Sequence, residues 1–190
     1  ILIDGRDIAG VQQNSLRDAV LASLNLNIFA RHADRVRFAN IAQMVNVLQA
    51  MILTDKDRML LTPTYHVFRM YVPFQDATYI SLAIDAGTWT QGAISLPRVD
   101  AIAAKDAGGR LLLALTNVDP TLPATIDVVI DGARIRSASG ETLTAPRVDS
   151  INTFSEPAAV APKPLRPTVR PDRIQVTLEP KSVSVITLLP

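Results

Sequence analysis

Leu16, Val20, Leu21, Leu24 and Ile28 recur at three- and four-residue spacing behind Asn14-Ser15. That spacing lines up apolar residues along an α-helix, and the Asn-Ser pair offers side-chain acceptors for its first free amides. Arg31 and His32 suit the negative end of the helix dipole. After the link Ala33-Asp34-Arg35, the mostly apolar run 36–42 reads as a strand. Helix, tight link and strand make an αβ unit, the repeat from which parallel α/β folds are built. Thr62-Pro63 then reads as an N-cap with proline at the first helical position. Residues 65–71 continue that helix with Val67, Phe68, Met70 and Tyr71 apolar.

From about residue 78 the period shortens to two. Lys105-Asp106-Ala107-Gly108-Gly109 separates the runs 101–103 and 111–115, a hairpin signal. Asp131-Gly132 separates 126–130 from 133–136, the strongest short hairpin signal in the chain. The runs 174–178 and 183–188 flank the turn Glu179-Pro180-Lys181. Short strands joined by such turns argue for a β-sandwich. Residues 155–172 hold five prolines and read as an extended surface connection.

Proline marks the boundary between the halves: residues 1–62 have none of the 13, and 97–190 have eleven. Residues 1–76 therefore read as the end of an α/β domain and 77–190 as the sandwich. The α/β half is too short to stand alone, because a parallel sheet needs both faces covered. The reading of fold class is α/β plus all-β, with the α/β part incomplete.

Composition narrows the function classes. Lys and Arg number 19 against 18 Asp and Glu, a net charge of +1, which gives no footprint for nucleic acid or an anionic membrane. No Cys is present, which excludes thiol catalysis and Cys-based zinc sites and suits a reducing compartment. The start, ILIDGRDIAG, lacks the basic and apolar regions of a signal peptide and does not begin with Met. The acids divide into 15 Asp and 3 Glu, and those three (Glu141, Glu156, Glu179) all lie beyond residue 140.

Four segments in the first half carry a family resemblance. They are residues 13–19 (QNSLRDA), 27–36 (NIFARHADRV), 39–52 (ANIAQMVNVLQAMI) and 61–68 (LTPTYHVF). Leu143-Thr144-Ala145-Pro146, Asn152-Thr153-Phe154 and Pro180-Lys181-Ser182-Val183 continue it. Together they closely resemble the C-terminal portion of the α-L-arabinofuranosidases of glycoside hydrolase family 51. The resemblance implies the last units of a (β/α)₈ TIM barrel followed by a jelly-roll-like β-sandwich. Residues 14–33 would be the seventh barrel helix, 36–43 the eighth strand and 62–72 the eighth helix.

The resemblance also implies retaining, exo-acting removal of terminal α-L-arabinofuranosyl groups from arabinan, arabinoxylan or arabino-oligosaccharides. It implies a cytoplasmic homo-oligomer that needs no cofactor. Retention requires two carboxyl groups about 5–5.5 Å apart. In this family both are Glu, on the fourth and seventh barrel strands, ahead of the matched region. The three Glu present read as solvated turn residues, Glu141 within a hairpin sequence Gly140-Glu141. No catalytic residue is therefore expected here, and the chain alone is expected to be inactive. Its partner would be the remainder of the barrel, upstream or in a companion chain.

One substrate-binding residue is expected, Gln43. By resemblance its amide hydrogen-bonds a hydroxyl of the arabinose ring, a task suited to a group that both donates and accepts. Asn40 and Asn46 read as structural hydrogen-bond partners. His32 and His66 with Asp18 or Asp34 lack a nucleophile elbow or HExxH spacing, so neither a triad nor a metal site is expected. Trp89 and Tyr79 read as packing residues before a sugar platform. The alternative reading of the whole chain is a non-catalytic carbohydrate-binding or structural module.

Overall fold

Neighbouring residues along three adjacent strands are buried on opposite sides, so their sheet is the middle layer of the molecule. The computed structural model describes residues 14–41, 44–47, 49–170 and 173–190. In chain order its first elements are α1 (Leu16–Arg31), β1 (Ile52–Asp55), β2 (Arg58–Leu61), α2 (Pro63–Tyr71) and a 3₁₀ turn (Val72–Phe74). Then come β3 (Thr78–Ile80), β4 (Thr88–Gln91), β5 (Ile94–Pro97), β6 (Val99–Lys105), β7 (Leu111–Asn117) and β8 (Ala124–Val128). The last are β9 (Ser137–Leu143), β10 (Lys163–Leu165), β11 (Thr168–Val169), β12 (Ile174–Leu178) and β13 (Ser182–Leu189).

The middle sheet runs β10-β9-β13-β7-β6-β3, with every pairing antiparallel. A three-stranded sheet, β11-β12-β8, covers one face. Between them lies an apolar layer of Val99, Ala101, Ala103, Leu113, Leu115, Ile186 and Leu188 against Ala124, Ile174, Val176 and Leu178. Residues of opposite parity, Ile102, Ala114, Val183 and Val185, point the other way and meet Leu16, Ala19, Val67, Met70 and Tyr71 of the two helices. Strand periodicity of two thus builds two cores from one sheet. Strand β13 is buried along almost its whole length because it lies at the centre of both.

Both expected helices form. Thr62 caps α2, its hydroxyl accepting from the Tyr65 amide at 3.4 Å, with Pro63 in the first turn. The face that α1 buries is not the apolar stripe alone. Its buried residues are Leu16, Ala19, Ser23 and Asn27, whereas Leu21 is 54% exposed and Ile28 45%.

The strand expected over 36–42 does not form: residues 36–41 have no strand pairing, and Ala42 lies outside the described residues. A parallel strand needs neighbours on its edges, and nothing in the described chain supplies them. The 101–103/111–115 hairpin is present as β6–β7, with Ala103 opposite Leu113.

The Asp131-Gly132 hairpin is not. Gly132 does take a left-handed turn conformation (φ 76°). However, β8 pairs with β12, and residues 133–136 are not strand. The turn carries the chain from the small sheet to β9 in the middle sheet. A turn signal fixes local conformation, while the pairing partner is chosen by burial. Glu179-Pro180-Lys181 likewise crosses between sheets, from β12 to β13.

Two more expectations are corrected. The connection 155–172 contributes β10 and β11, one to each sheet, with Pro164 on an outer strand where a missing amide hydrogen is tolerated. Gly140-Glu141 is not a turn but mid-strand in β9, opposite Ile186 and Val185. A Cβ on Gly140 would lie 2.4 Å from the Val185 carbonyl oxygen, so this glycine permits close strand approach.

Candidate functional site

The N-terminal ends of α1 and α2 are stitched to the segment that joins the helices. Asn14 donates from Nδ2 to the Ala50 carbonyl at 3.0 Å. The Thr62 amide and hydroxyl both donate to the Met51 carbonyl, at 3.0 and 3.1 Å. The Ile52 amide donates to Met44, and the Asn46 amide donates back to Ile52. Asn46 sits at φ 54°, a conformation asparagine tolerates better than most residues. Its side chain donates to Thr54 Oγ1 and accepts from the Thr54 amide, both at 2.7 Å.

Gln43 itself lies outside the described residues. Its neighbour Met44 is exposed, as is Asn40. Asn40 lines a cavity of about 210 Å³ between the helices, with Leu21, Leu26, Phe29, Thr64 and Phe68. The buried Thr64 hydroxyl there has no hydrogen-bond partner.

A second polar cluster joins the helices to the sandwich. Asp100 on β6 accepts from Asn27 Nδ2 at 2.9 Å. It also accepts from both terminal nitrogens of Arg31, at 2.8 and 3.3 Å. Asn27 Oδ1 in turn accepts from the Tyr71 hydroxyl at 2.8 Å. Ser23 and Thr116 share a hydroxyl contact at 3.0 Å. Burial raises the Tyr71 hydroxyl above its usual range; hydrogen bonding toward Thr116 opposes the shift and the Asp100 charge reinforces it. Tyr71 is therefore a fixed donor. Sequence reasoning missed this cluster. Its signal was Ser23 and Asn27, polar residues four apart on the helix face that also carries Leu16 and Ala19.

The remaining candidates fall apart spatially. Asp18 accepts from the Ser15 amide and hydroxyl at 2.8 and 2.7 Å, closing the start of α1. His32 ends the same helix, about 21 Å away along its axis. Burial, together with the neighbouring Arg69 charge, lowers the pKa of His66, while Glu141 acts in the opposite sense. Glu141 is half-buried and ion-paired with Arg69 at 2.6 Å, which corrects its reading as a solvated turn residue. Glu156 and Glu179 are exposed and lie in loops. Tyr79 packs in the helix-side core, and Trp89 is half-buried on the separate β4–β5 hairpin. Among the described residues no group of three or more His, Cys, Asp or Glu could hold a metal ion. No described helix is long and apolar enough to cross a membrane.

Comparison with known proteins gives this arrangement its context. A family described as alpha-L-arabinofuranosidase C-terminal domain matches residues 8–182. An intracellular exo-alpha-L-arabinofuranosidase of Bacteroides ovatus is 40% identical over 93% of this chain and 35% of its own length. An intracellular exo-alpha-(1->5)-L-arabinofuranosidase of Streptomyces lividans is 26% identical, over 88% of this chain and 26% of its own. The crystal structure of a GH51 arabinofuranosidase from Xanthomonas axonopodis pv. citri superposes with a TM-score of 0.90 at 48% identity. It aligns with 94% of this chain and 36% of that one. An alpha-L-arabinofuranosidase from Thermotoga maritima, in an arabinose complex, gives 0.81 at 27% identity, over 94% and 39%. The chain spans between about a quarter and about a third of the length of the curated relatives it matches.

Proposed function

The chain belongs to the α-L-arabinofuranosidase C-terminal domain family, and from that premise we propose that it is the non-catalytic C-terminal portion of a retaining exo-α-L-arabinofuranosidase. The observation that carries this is the family match along residues 8–182, set against a chain without Glu before residue 141. A retaining glycosidase needs a nucleophile and an acid/base about 5–5.5 Å apart. Here Glu141 is bound to Arg69, and Glu156 and Glu179 sit in separate loops. The catalytic pair is thus assigned to barrel strands outside this chain, as the partner that residues 1–76 complete.

In this reading residues 14–76 close the barrel and 77–190 form the sandwich that carries them. Active sites of such barrels lie at the C-terminal ends of the strands, the end shared by the helix N-termini. The hydrogen bonds of Asn14 to Ala50, Thr62 to Met51 and Asn46 with Thr54 gather those residues at that end. Gln43 then contacts a hydroxyl of the terminal arabinofuranosyl group of arabinan, arabinoxylan or an arabino-oligosaccharide. The exposed Leu21, Ile28 and Phe29 of α1 and Phe38 beyond it face the missing strands. The enzyme works in the cytoplasm as a homo-oligomer; the relatives' description as intracellular supports the location.

The test is an intact-mass measurement of the source protein with an assay on an aryl α-L-arabinofuranoside. Activity in a larger species, or in a complex with a companion chain, is the expected result. Activity from a pure 20.6 kDa species would overturn the non-catalytic assignment. A lone 20.6 kDa species that binds arabinan and hydrolyses nothing would replace it with the binding-module reading.

A further inference from the structure

The helix pair has a second apolar face, turned away from the sandwich. With about 100° between successive residues, Leu16, Ala19, Ser23 and Asn27 share the side of α1 that packs on the sheet. Leu21, Asn25 and Phe29 lie on the opposite side, with Leu21 54% and Phe29 38% exposed. They line the cavity of about 210 Å³ together with Thr64 and Phe68 of α2 and Ile41 beyond α1. Protein interiors are close-packed, so an apolar cavity of this size calls for side chains to fill it.

The two helices pack side by side and run parallel. Their starts are held by one segment, Asn14 by Ala50 and Thr62 by Met51. Near their ends the Tyr71 hydroxyl donates to Asn27. Parallel neighbouring helices of this kind are the cover of a parallel sheet. The stripe from Asp18 to Phe29 is about 16 Å long, roughly the span of five extended residues. Residues 36–41 follow α1 without strand pairing, and Asn40 and Ile41 already reach this cavity.

The cavity is polar at one deep point. Thr64 is 3% exposed, and its hydroxyl has no hydrogen-bond partner among the described residues. Finished folds pair such groups, so its partner belongs to whatever fills the cavity.

We propose that this face seats extended backbone from the rest of the enzyme: apolar side chains fill the cavity, and one polar group bonds the Thr64 hydroxyl. The relatives have the length for this, since the chain covers only 26–35% of the curated ones. Seating also gives residues 36–41 the strand neighbours they need. The proposal deepens the function given above and rests on it for the identity of the occupant.

Thr64→Val and Leu21→Gln test it, each made in the 190-residue chain and in the longer enzyme that contains it. In the chain, Thr64→Val is expected to raise the folded-to-unfolded ratio about threefold or more, because it removes an unpaired buried hydroxyl. Leu21→Gln, at an exposed position, is expected to change that ratio by less than about threefold. In the enzyme, both are expected to shorten the half-life of the folded state at a fixed temperature about tenfold. Circular dichroism follows that decay, so turnover is not needed to read it. Amides of residues 36–41 are expected to exchange about a hundredfold more slowly in the enzyme than in the chain.

Equal effects in chain and enzyme, for either variant, overturn the proposal. So does a chain that dimerises and that Leu21→Gln returns to monomers, because the occupant is then a second copy. A 20.6 kDa source protein without a companion chain leaves no occupant and also overturns it. A longer enzyme without arabinofuranosidase activity sinks the proposed function instead, while the stability comparison still decides what seats on this face.

Discussion

Asn152 donates from its side-chain amide to the carbonyl of Leu61 at 2.9 Å, joining the sandwich to the entry of α2 across 91 positions of sequence. The same group donates to the Val160 carbonyl at 2.9 Å, while Oδ1 accepts from the Val160 amide at 2.6 Å. With Asn152 only 2% exposed, water cannot replace these partners.

Asn152→Ala is expected to destabilise the chain by about 2–4 kcal/mol, because it leaves several buried backbone groups unpaired. Urea unfolding measures this as a lower midpoint at unchanged slope. A midpoint equal to that of the wild type would mean the contacts carry no net stability.

Gly140→Ala is expected to cost about 1–3 kcal/mol through overpacking of β9 against β13. The added Cβ meets the Val185 carbonyl and the Ile186 backbone, and neither can swing aside as a side chain could. Thermal unfolding reads the loss. A substitution as mild as those at exposed surface sites would show that the strands can separate cheaply.

Asp119 gives the fold an acid limit. Burial pushes its carboxyl upward, but the amides of Thr121 and Leu122, the Thr121 hydroxyl and the charge of Arg98 outweigh this and lower its pKa. A depressed folded value means the stabilisation is complete above the unfolded pKa of about 4 and is lost as pH falls through the folded one. Asp119→Asn should flatten the fall in stability below about pH 4. An acid slope identical to that of the wild type would refute the assignment.

His66 acts in a second window. Its folded pKa lies below the ordinary value, so below about pH 6.5 the unfolded chain takes up the proton first. Stability should decline as pH falls from there and level off once the folded state protonates too. His66→Gln is expected to remove this component, measured by unfolding midpoints between pH 7 and 5, a range on the order of that window. An unchanged profile would show that another group titrates there.

Gln43→Ala, made in the active enzyme, is expected to lower kcat/KM about tenfold to a hundredfold without moving the unfolding midpoint. Glu141→Gln, Glu156→Gln and Glu179→Gln should each leave more than half the activity, as expected of groups outside the chemistry. Loss of turnover in any of those three would reopen the search for the catalytic pair within this chain.

Local signals in the chain were reliable where local physics decides. Asn14-Ser15 lies directly before α1, and Thr62-Pro63 supplies the N-cap and first residue of α2, because capping concerns amides within one turn. The turn at Gly132 formed because left-handed φ is a property of one residue. Its strand partners could not be read, since β8 joins β12 and β9 joins β13 according to which faces are buried. Gly140 looked like a turn residue for the same reason: its role is set by a strand 45 positions away.

Functional legibility divides along the same line. The sequence alone determined the family resemblance, the two helices, the β-rich second half and the absence of Glu from residues 1–140, all of which depend on residue identity and short spacing. Tertiary structure decided that residues 36–41 form no strand without parallel neighbours. It also decided that the helix-side core is shared with the sandwich, and that Asp100, Asn27, Arg31 and Tyr71 meet. Those contacts join residues up to 73 positions apart, and hydrogen bonds between such distant groups exist only once two independent surfaces have been brought together.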